Sequence, residues 1–278
     1  RAATTLALPE RKRLPLWLGF WGRLVRRKPL GTVGAVIVLA MVAMAVAADV
    51  IAPYGYNQVN PQHSFAGYSA RHWLGADNLG RDILSRIIYG ARISMYVGLG
   101  AVGLGLLFAT VLGLISGYMG GAADAAIQRV VDAWMAFPWL AILLTIMAVL
   151  GSGLLQVIFV LALFQAFGNS RVVRGSVLSI KENQYIEAAR AVGAPHRRIV
   201  LGHILPNVMV PIIVLATLRF GQVIIVEASL SFLGYGVPPP HPSWGSMLSG
   251  VGLQYMYVAP WMAIWPGVAL SLAVFGLN

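Results

Sequence analysis

The chain has 278 residues, of which 58% are hydrophobic and 10% charged, with a formal net charge of +11. A soluble domain usually carries about 25% charged residues, so most of this surface is built for lipid rather than water. A nucleic-acid binder is excluded: no zinc-finger spacing and no aromatic-interleaved basic groove occurs, and the basic residues instead flank apolar runs, the positive-inside pattern. The absence of cysteine removes disulfides, thiolate metal sites and a cysteine nucleophile.

In chain order, residues 1–29 carry Arg11, Lys12, Arg13, Arg23, Arg26, Arg27 and Lys28 with Trp17, Phe20 and Trp21 between them. They read as a basic amphipathic tail lying along the anionic inner leaflet. The apolar run 31–52 is of spanning length and follows that tail, so it is a retained helix with its N-terminus inside rather than a cleaved signal. Residues 53–92 form an outer loop. It closes on an amphipathic interfacial helix from Gly80, with Ile83, Ile87 and Ile88 on one side and Arg81, Asp82, Ser85 and Arg86 on the other. A metal site from His72, Asp77 and Asp82 is disfavoured because Arg81 and Arg86 compete for the carboxylates.

A second span covers about 93–118. Within it Gly98-Leu-Gly100-Ala-Val-Gly103 matches the dinucleotide fingerprint, with Asp124 about 20 residues on. No strand precedes it, so the glycines read as close helix packing inside a membrane. Residues 119–133 are a short inner loop, and a third span with Pro138 near its start runs to about 150. A fourth reaches about 167, a fifth covers 208–232, and a sixth begins near Ala259 with Trp261 and Trp265 at interface depth. The outer loop 233–258 contains the stiff run Pro238-Pro239-Pro240 and Trp244, read as an interfacial anchor. The last run is still apolar at Asn278, so a polar tail is expected beyond it.

The stretch Glu187-Ala-Ala-Arg-Ala-Val-Gly193, followed by His203-Ile-Leu-Pro206-Asn207, is the polar, basic interruption at 171–207. Helix formers run from Lys181 to Val192, Gly193 allows a tight turn, and Pro195 suits the start of a second short helix. The result is a helix-turn-helix bracket surrounded by Lys181, Arg190, Arg197 and Arg198. It resembles the E-A-A-x-x-x-G loop of binding-protein-dependent ABC importer permeases. The His203 spelling is similar to that of the dipeptide/oligopeptide/nickel branch. Three further segments resemble the same branch: Leu74 to Arg92, with Ala76 where Thr is usual; Asp132 to Pro138; and Ser229 to Gly234 with Ser243-Trp244-Gly245.

The resemblance implies an all-α integral membrane protein of six spans, the type I importer permease fold, in a bacterial or archaeal plasma membrane. It implies a second homologous permease, two ATPase subunits or domains carrying ATP and Mg, and an extracytoplasmic substrate-binding protein as partners. Glu187, Ala188, Ala189, Arg190, Gly193, Ala194, Pro195 and Arg197 would then form the coupling surface for the ATPase. Glu187 would fix the bracket by charge-assisted hydrogen bonds, with Ala188 and Ala189 allowing close docking. Arg219 and Glu227, both within the fifth span, are candidates for the translocation pathway, since charge at membrane depth is costly and faces a cavity or a partner. Arg219 suits an anionic group such as a peptide carboxylate. No catalytic residues are expected: lysine occurs only at Lys12, Lys28 and Lys181, none in a phosphate-cradling loop, so any ATPase is another chain. Neither a metal nor a cofactor is expected in this chain, and His196 and His203 read as surface packing. An ion-driven secondary transporter or channel is the alternative, weakened by the absence of paired acidic relays. Substrate is open among peptides, nickel chelates and other solutes.

Overall fold

A computed structural model describes residues 28–277, so the tail expected over residues 1–27 lies outside the described residues. Most of those described are helical, with turns and irregular backbone over 52–82 and 233–243 and one isolated bridge between Ala76 and Asp82. Helix α1 (Pro29–Val46) starts on a proline, whose missing N–H costs nothing in a first turn. The short α2 (Ala48–Ile51) ends it, and Arg92 reaches back to Asp49 at 2.9 Å. That hydrogen bond, with a second from Tyr89, holds the Asp49 carboxyl below its ordinary range.

Helix α3 (Ile83–Met119) is continuous over 37 residues, about 55 Å. The separate interfacial helix and the span start at Ile93 are therefore corrected: the first turns are a buried extension of the span. Ile83, Ser85, Arg86, Ile87, Ile88, Gly90 and Ala91 are all buried, so both the apolar and the polar faces have protein against them. The helix begins at Asp82, whose carboxylate accepts from Ser85 N and Ser85 Oγ, both at 2.8 Å.

The inner loop expected over 119–133 is instead helix α4 (Gly121–Ala136), and it meets α5 (Trp139–Leu150) at a 92° bend. The break falls where Pro138 disfavours the α region for the residue before it, and Phe137 is extended (φ −88°, ψ 148°). The 12 residues of α5 reach only about 18 Å, so the third span is a broken one. Helix α6 (Leu154–Lys181) runs well past the expected end at Phe167. Helices α7 (Gln184–Ala191) and α8 (His196–Ile199) form the bracket, and a wide turn over Val200–Ile204 leads into α9 (Leu205–Phe232). In that turn Leu205 N donates to Val200 O, five residues back. The widening relieves the clash a proline at Pro206 makes with the carbonyl four residues earlier. Asn207 Nδ2 donates to His203 O at 2.6 Å, giving Leu-Pro-Asn a local structural role. Helices α10 (Trp244–Leu248), α11 (Val251–Gln254) and α12 (Trp261–Leu277) complete the described chain.

Four helical rods are long and apolar enough to cross a membrane: α1, α3, α6 and the run 196–232. The α4–α5 pair makes a broken fifth, and α12, with 17 residues, is a shorter sixth apolar helix. The most extensive packing is α3 against α6. Val97, Ala101, Gly105, Ala109, Gly113 and Gly117 recur every four residues and are all buried. A Cβ on Gly113 would lie 2.6 Å from Val173, and one on Gly117 2.8 Å from Val177, so the helices touch where side chains are missing. Of the fingerprint-like glycines, Gly98 faces the Phe220 ring (2.6 Å to a built Cβ) and Gly100 faces Ile158 (2.9 Å), while Gly103 meets nothing within 4 Å. Two of the three are packing positions. Arg174 donates to Asp124 at 2.6 Å, and Arg171 pairs with Asp132, so two ion pairs tie α4 to α6.

Trp244 is not an interfacial anchor. It is 1% exposed and donates from Nε1 to Ile87 O at 3.1 Å, sealing α10 onto α3. In the segment before α3, Asp77 is held by Arg81 at 2.7 Å with Arg86 at 3.9 Å. Asp82 takes His72 at 2.9 Å, and His72 touches His63 at 3.0 Å. The three side chains weighed for a metal thus have partners of their own.

Candidate functional site: the bracket and a mid-span cavity

The bracket closes on a hydrogen-bond pair dictated by one residue. Gly193 has φ +75°, the left-handed region open to glycine, and its N–H reaches Arg190 O at 2.9 Å. The next amide, Ala194 N, reaches Ala189 O at 3.0 Å. This 5→2 and 6→1 pairing ends α7 as a Schellman motif. Ala189 and Ala194 are half-buried against the main core, which includes Ile186 and Ile199 from the two bracket helices. Pro195 precedes α8 in extended backbone (φ −66°, ψ 148°).

The eight bracket residues therefore divide by face. Ala189 and Ala194 face inward and hold the bracket on the helices; Gly193 shapes the turn. Glu187, Ala188, Arg190, Pro195 and Arg197 are exposed. Ala189 thus packs against the core of this chain. Among the described residues the Glu187 carboxylate has neither an ion pair nor a side-chain hydrogen bond, so the fixing role expected of it passes to the backbone. Arg190 and Arg197, with Lys181, edge an apolar hollow of about 770 Å³ whose floor includes Leu114 and Leu201. Lys181 is anchored there by Nζ to Tyr118 O at 2.9 Å, and Tyr118 OH pairs with His196 Nδ1 at 2.7 Å.

The second region lies where the α4–α5 bend meets the middles of α6 and α9. It is a cavity of about 360 Å³ lined by Arg219, Asn169, Gln165, Gln222 and aromatic rings. Arg219 Nε donates to Asn169 Oδ1 at 2.9 Å, and Nη1 donates to Gln222 Oε1 at 2.6 Å. No carboxylate lies within ion-pairing distance of Arg219 among the described residues. From Leu205, Arg219 is 14 residues along the 28-residue α9, about 21 Å, which places the cavity at the middle of that apolar helix. Irregular backbone within a membrane span survives where it lines a cavity, and the bend at Phe137–Pro138 does so.

Glu227 does not share this cavity. It is 1% exposed and accepts from Ser231 Oγ at 2.6 Å, and Ser231 is linked to Ser243 at 3.1 Å. Its place is inside the chain's own packing, beside the segment that enters α10, and not on the open wall with Arg219. Trp134, Gln165 and Asn169 were missed in the sequence. The signal was there, since Gln165 and Asn169 are polar residues inside an apolar helix, but ending the span at Phe167 read them as its edge.

Residues 109–278 match the family model described as the binding-protein-dependent transport system inner membrane component, and residues 15–69 match the N-terminal transmembrane domain of oligopeptide transport permease C. The chain is 41% identical over 254 residues to a dipeptide transport system permease protein of Alkalihalophilus pseudofirmus, covering 91% of this chain and 83% of that one. It is 40% identical over 263 residues to a glutathione transport system permease protein of Pectobacterium atrosepticum, covering 94% and 87%. A glutathione transport system permease protein of Escherichia coli O157:H7 is 41% identical over 277 residues, covering 99% and 90%. With more than half its length matched by one model, and relatives at this identity over nearly the whole chain, the protein belongs to the family of multi-span inner-membrane permease components of binding-protein-dependent ABC importers.

Proposed function

We propose that this chain is one of two homologous permease subunits in an ATP-driven importer of di- and oligopeptides, glutathione-like peptides included. Its N-terminus and bracket face the cytoplasm. Two ATPase subunits or domains, carrying ATP and Mg, dock under the bracket, and an extracytoplasmic binding protein delivers substrate to the opposite end. The observation that carries the reading is the bracket itself: a backbone-locked turn that presents Glu187, Ala188, Arg190 and Arg197 outward, with no partner for the Glu187 carboxylate among the described residues. A side chain so placed is free to meet a counterpart on another subunit. Gly193, Ala194 and Pro195 keep the surface rigid, so that closure of the ATPases tilts the attached helices between inward-open and outward-open arrangements. Arg219 lines the pathway, whereas Glu227 holds the outer end of α9 against the segment that enters α10. Relatives named for dipeptides and glutathione favour a peptide over a nickel chelate.

Purification in mild detergent from the native host, with mass spectrometry of what comes along, tests the assembly. Walker-motif ATPases, a second permease and a binding protein are expected. Glu187→Lys is expected to abolish uptake while leaving membrane insertion normal, because it reverses the charge at the docking face. Recovery of the chain alone, with uptake persisting in ATP-depleted vesicles, would replace this reading with an ion-driven transporter.

A further inference from the structure

The charge around the Arg219 cavity has one sign only. Arg219 has five N–H donors, of which two are used, on Asn169 and Gln222, and three remain. Those two bonds also fix which way the amides point. Asn169 Oδ1 is taken by the guanidinium, which leaves Asn169 Nδ2 buried without a partner on a residue 1% exposed. Gln165 and Trp134 line the same cavity, and Gln165 Nε2 and Trp134 Nε1 lie buried just behind its surface without a partner among the described residues. An indole nitrogen donates and never accepts. No lining residue is a carboxylate. A buried donor left unmade is costly, and several around one opening, beside an unpaired cation, mark a place that a ligand's acceptors complete.

We propose that this cavity is the subsite for the carboxyl end of the transported peptide, a proposal that rests on the peptide-importer reading. The free α-carboxylate takes the open edge of the Arg219 fork, whose planar donors suit two oxygens at once. The last peptide carbonyl accepts from Asn169 Nδ2 or Trp134 Nε1. The walls, with Trp139 and Phe164, cover the terminal side chain. At about 360 Å³ the cavity is in the size range of small-ligand pockets, about 300–1,000 Å³, and holds the end of a chain rather than a long peptide. An α-ammonium is refused here, because it would face a guanidinium with no carboxylate to offset it. The peptide therefore meets this subunit carboxyl end first, and its amino end is held elsewhere in the complex.

The test uses the whole reconstituted complex in proteoliposomes. ATP-driven uptake of one dipeptide is compared for the free acid, the C-terminal amide and the N-acetyl form. Each is supplied at a concentration that saturates the binding protein, with that binding measured separately. Wild type is expected to take up the acid and the N-acetyl form at least about tenfold faster than the amide, the loss expected when a charge-assisted pair becomes a neutral one. In Arg219→Gln the acid rate falls to the amide rate, through kcat, with KM for the loaded binding protein unchanged. Asn169→Asp gives the same collapse by setting a fixed carboxylate against Arg219 at conserved volume, and it decides the matter if Arg219→Gln does not assemble. Arg219→Lys, with charge but no fork, falls between. If wild type imports peptides and assembled variants keep the wild-type acid-to-amide ratio, the subsite is refuted while the importer stands. A wild-type complex that imports no peptide refutes both.

Discussion

Gly193 is where backbone geometry and the proposed coupling role meet, and a substitution series there separates them. Nothing lies within 4 Å of a Cβ built on Gly193, so within this chain a side chain meets no steric obstacle and the effect on the turn is conformational. At φ +75° an L-residue sits in the left-handed region at a cost of about 1–2 kcal/mol for alanine, and more for a β-branched residue. Asparagine tolerates that region far better. A cost of about 1.4 kcal/mol shifts the ratio of closed to opened turn tenfold. What opens is specific: Gly193 N to Arg190 O and Ala194 N to Ala189 O break together, and α8 swings relative to α7. Expected uptake, at equal membrane abundance and equal complex yield, ranks Gly above Asn above Ala above Val. The ATPase rate per peptide imported should rise in the reverse order. The assay is ATP-driven uptake and ATP hydrolysis on the same proteoliposomes. Uptake by Gly193→Val equal to wild type, or Gly193→Asn as poor as Gly193→Val, would refute the argument that the left-handed turn transmits the force.

Two further predictions concern packing. Gly113→Ala should lower the midpoint of thermal unfolding in detergent, because overpacking against Val173 and the Ser170 carbonyl costs about 1–3 kcal/mol while the helix gains about 1. Gly103→Ala keeps only the gain and should raise it; shifts of the same sign in both would show that α3 and α6 are not in close register. Trp244→Phe should cost about 1 kcal/mol through the unmade bond to Ile87 O, and Trp244→Ala about 3–5, both independent of bilayer thickness. A dependence on lipid chain length would return Trp244 to the membrane interface.

The elements legible in the sequence were those whose cause is local. Gly193, Pro195 and the helix formers before them give the bracket, because a left-handed glycine and a proline act within a few residues. The hidden features have causes elsewhere in the chain. Residues 83–92 alternate in polarity like an interfacial helix, yet Arg86 is buried beside Asp77 and Tyr56 O, and Ser85 is capped by Asp82, so the polar face meets protein and not water. Trp244 resembles a membrane anchor until Ile87, 157 residues away in sequence, supplies the acceptor for its indole. Residues 119–133 are polar enough to read as a loop, but Asp124 and Asp132 are the partners of Arg174 and Arg171, and those pairs let a charged helix lie against α6. Hydropathy marks where lipid is tolerated; it does not mark where one polar face is answered by another.

The bracket and the cavity are joined by one rod. From Arg197 on the exposed face of α8 to Arg219, the chain is helical for 22 residues, about 33 Å, interrupted only by the widened turn at Val200–Ile204. Across the cavity, α6 supplies Asn169 and ends at Lys181, three residues before α7 begins. The bracket therefore lies between the ends of the two helices that carry the two sides of the Arg219–Asn169 hydrogen bond. A motion that kept α7 and α8 locked to each other would move α6 and α9 together and leave that bond intact, whereas a swing at Gly193 would shear one against the other and strain it first. Under the proposed function, the left-handed turn keeps the cavity's donors in register while the spans tilt. Loosening the turn would degrade discrimination between free-acid and amide peptides as well as the rate of import, although Gly193 itself does not line the cavity.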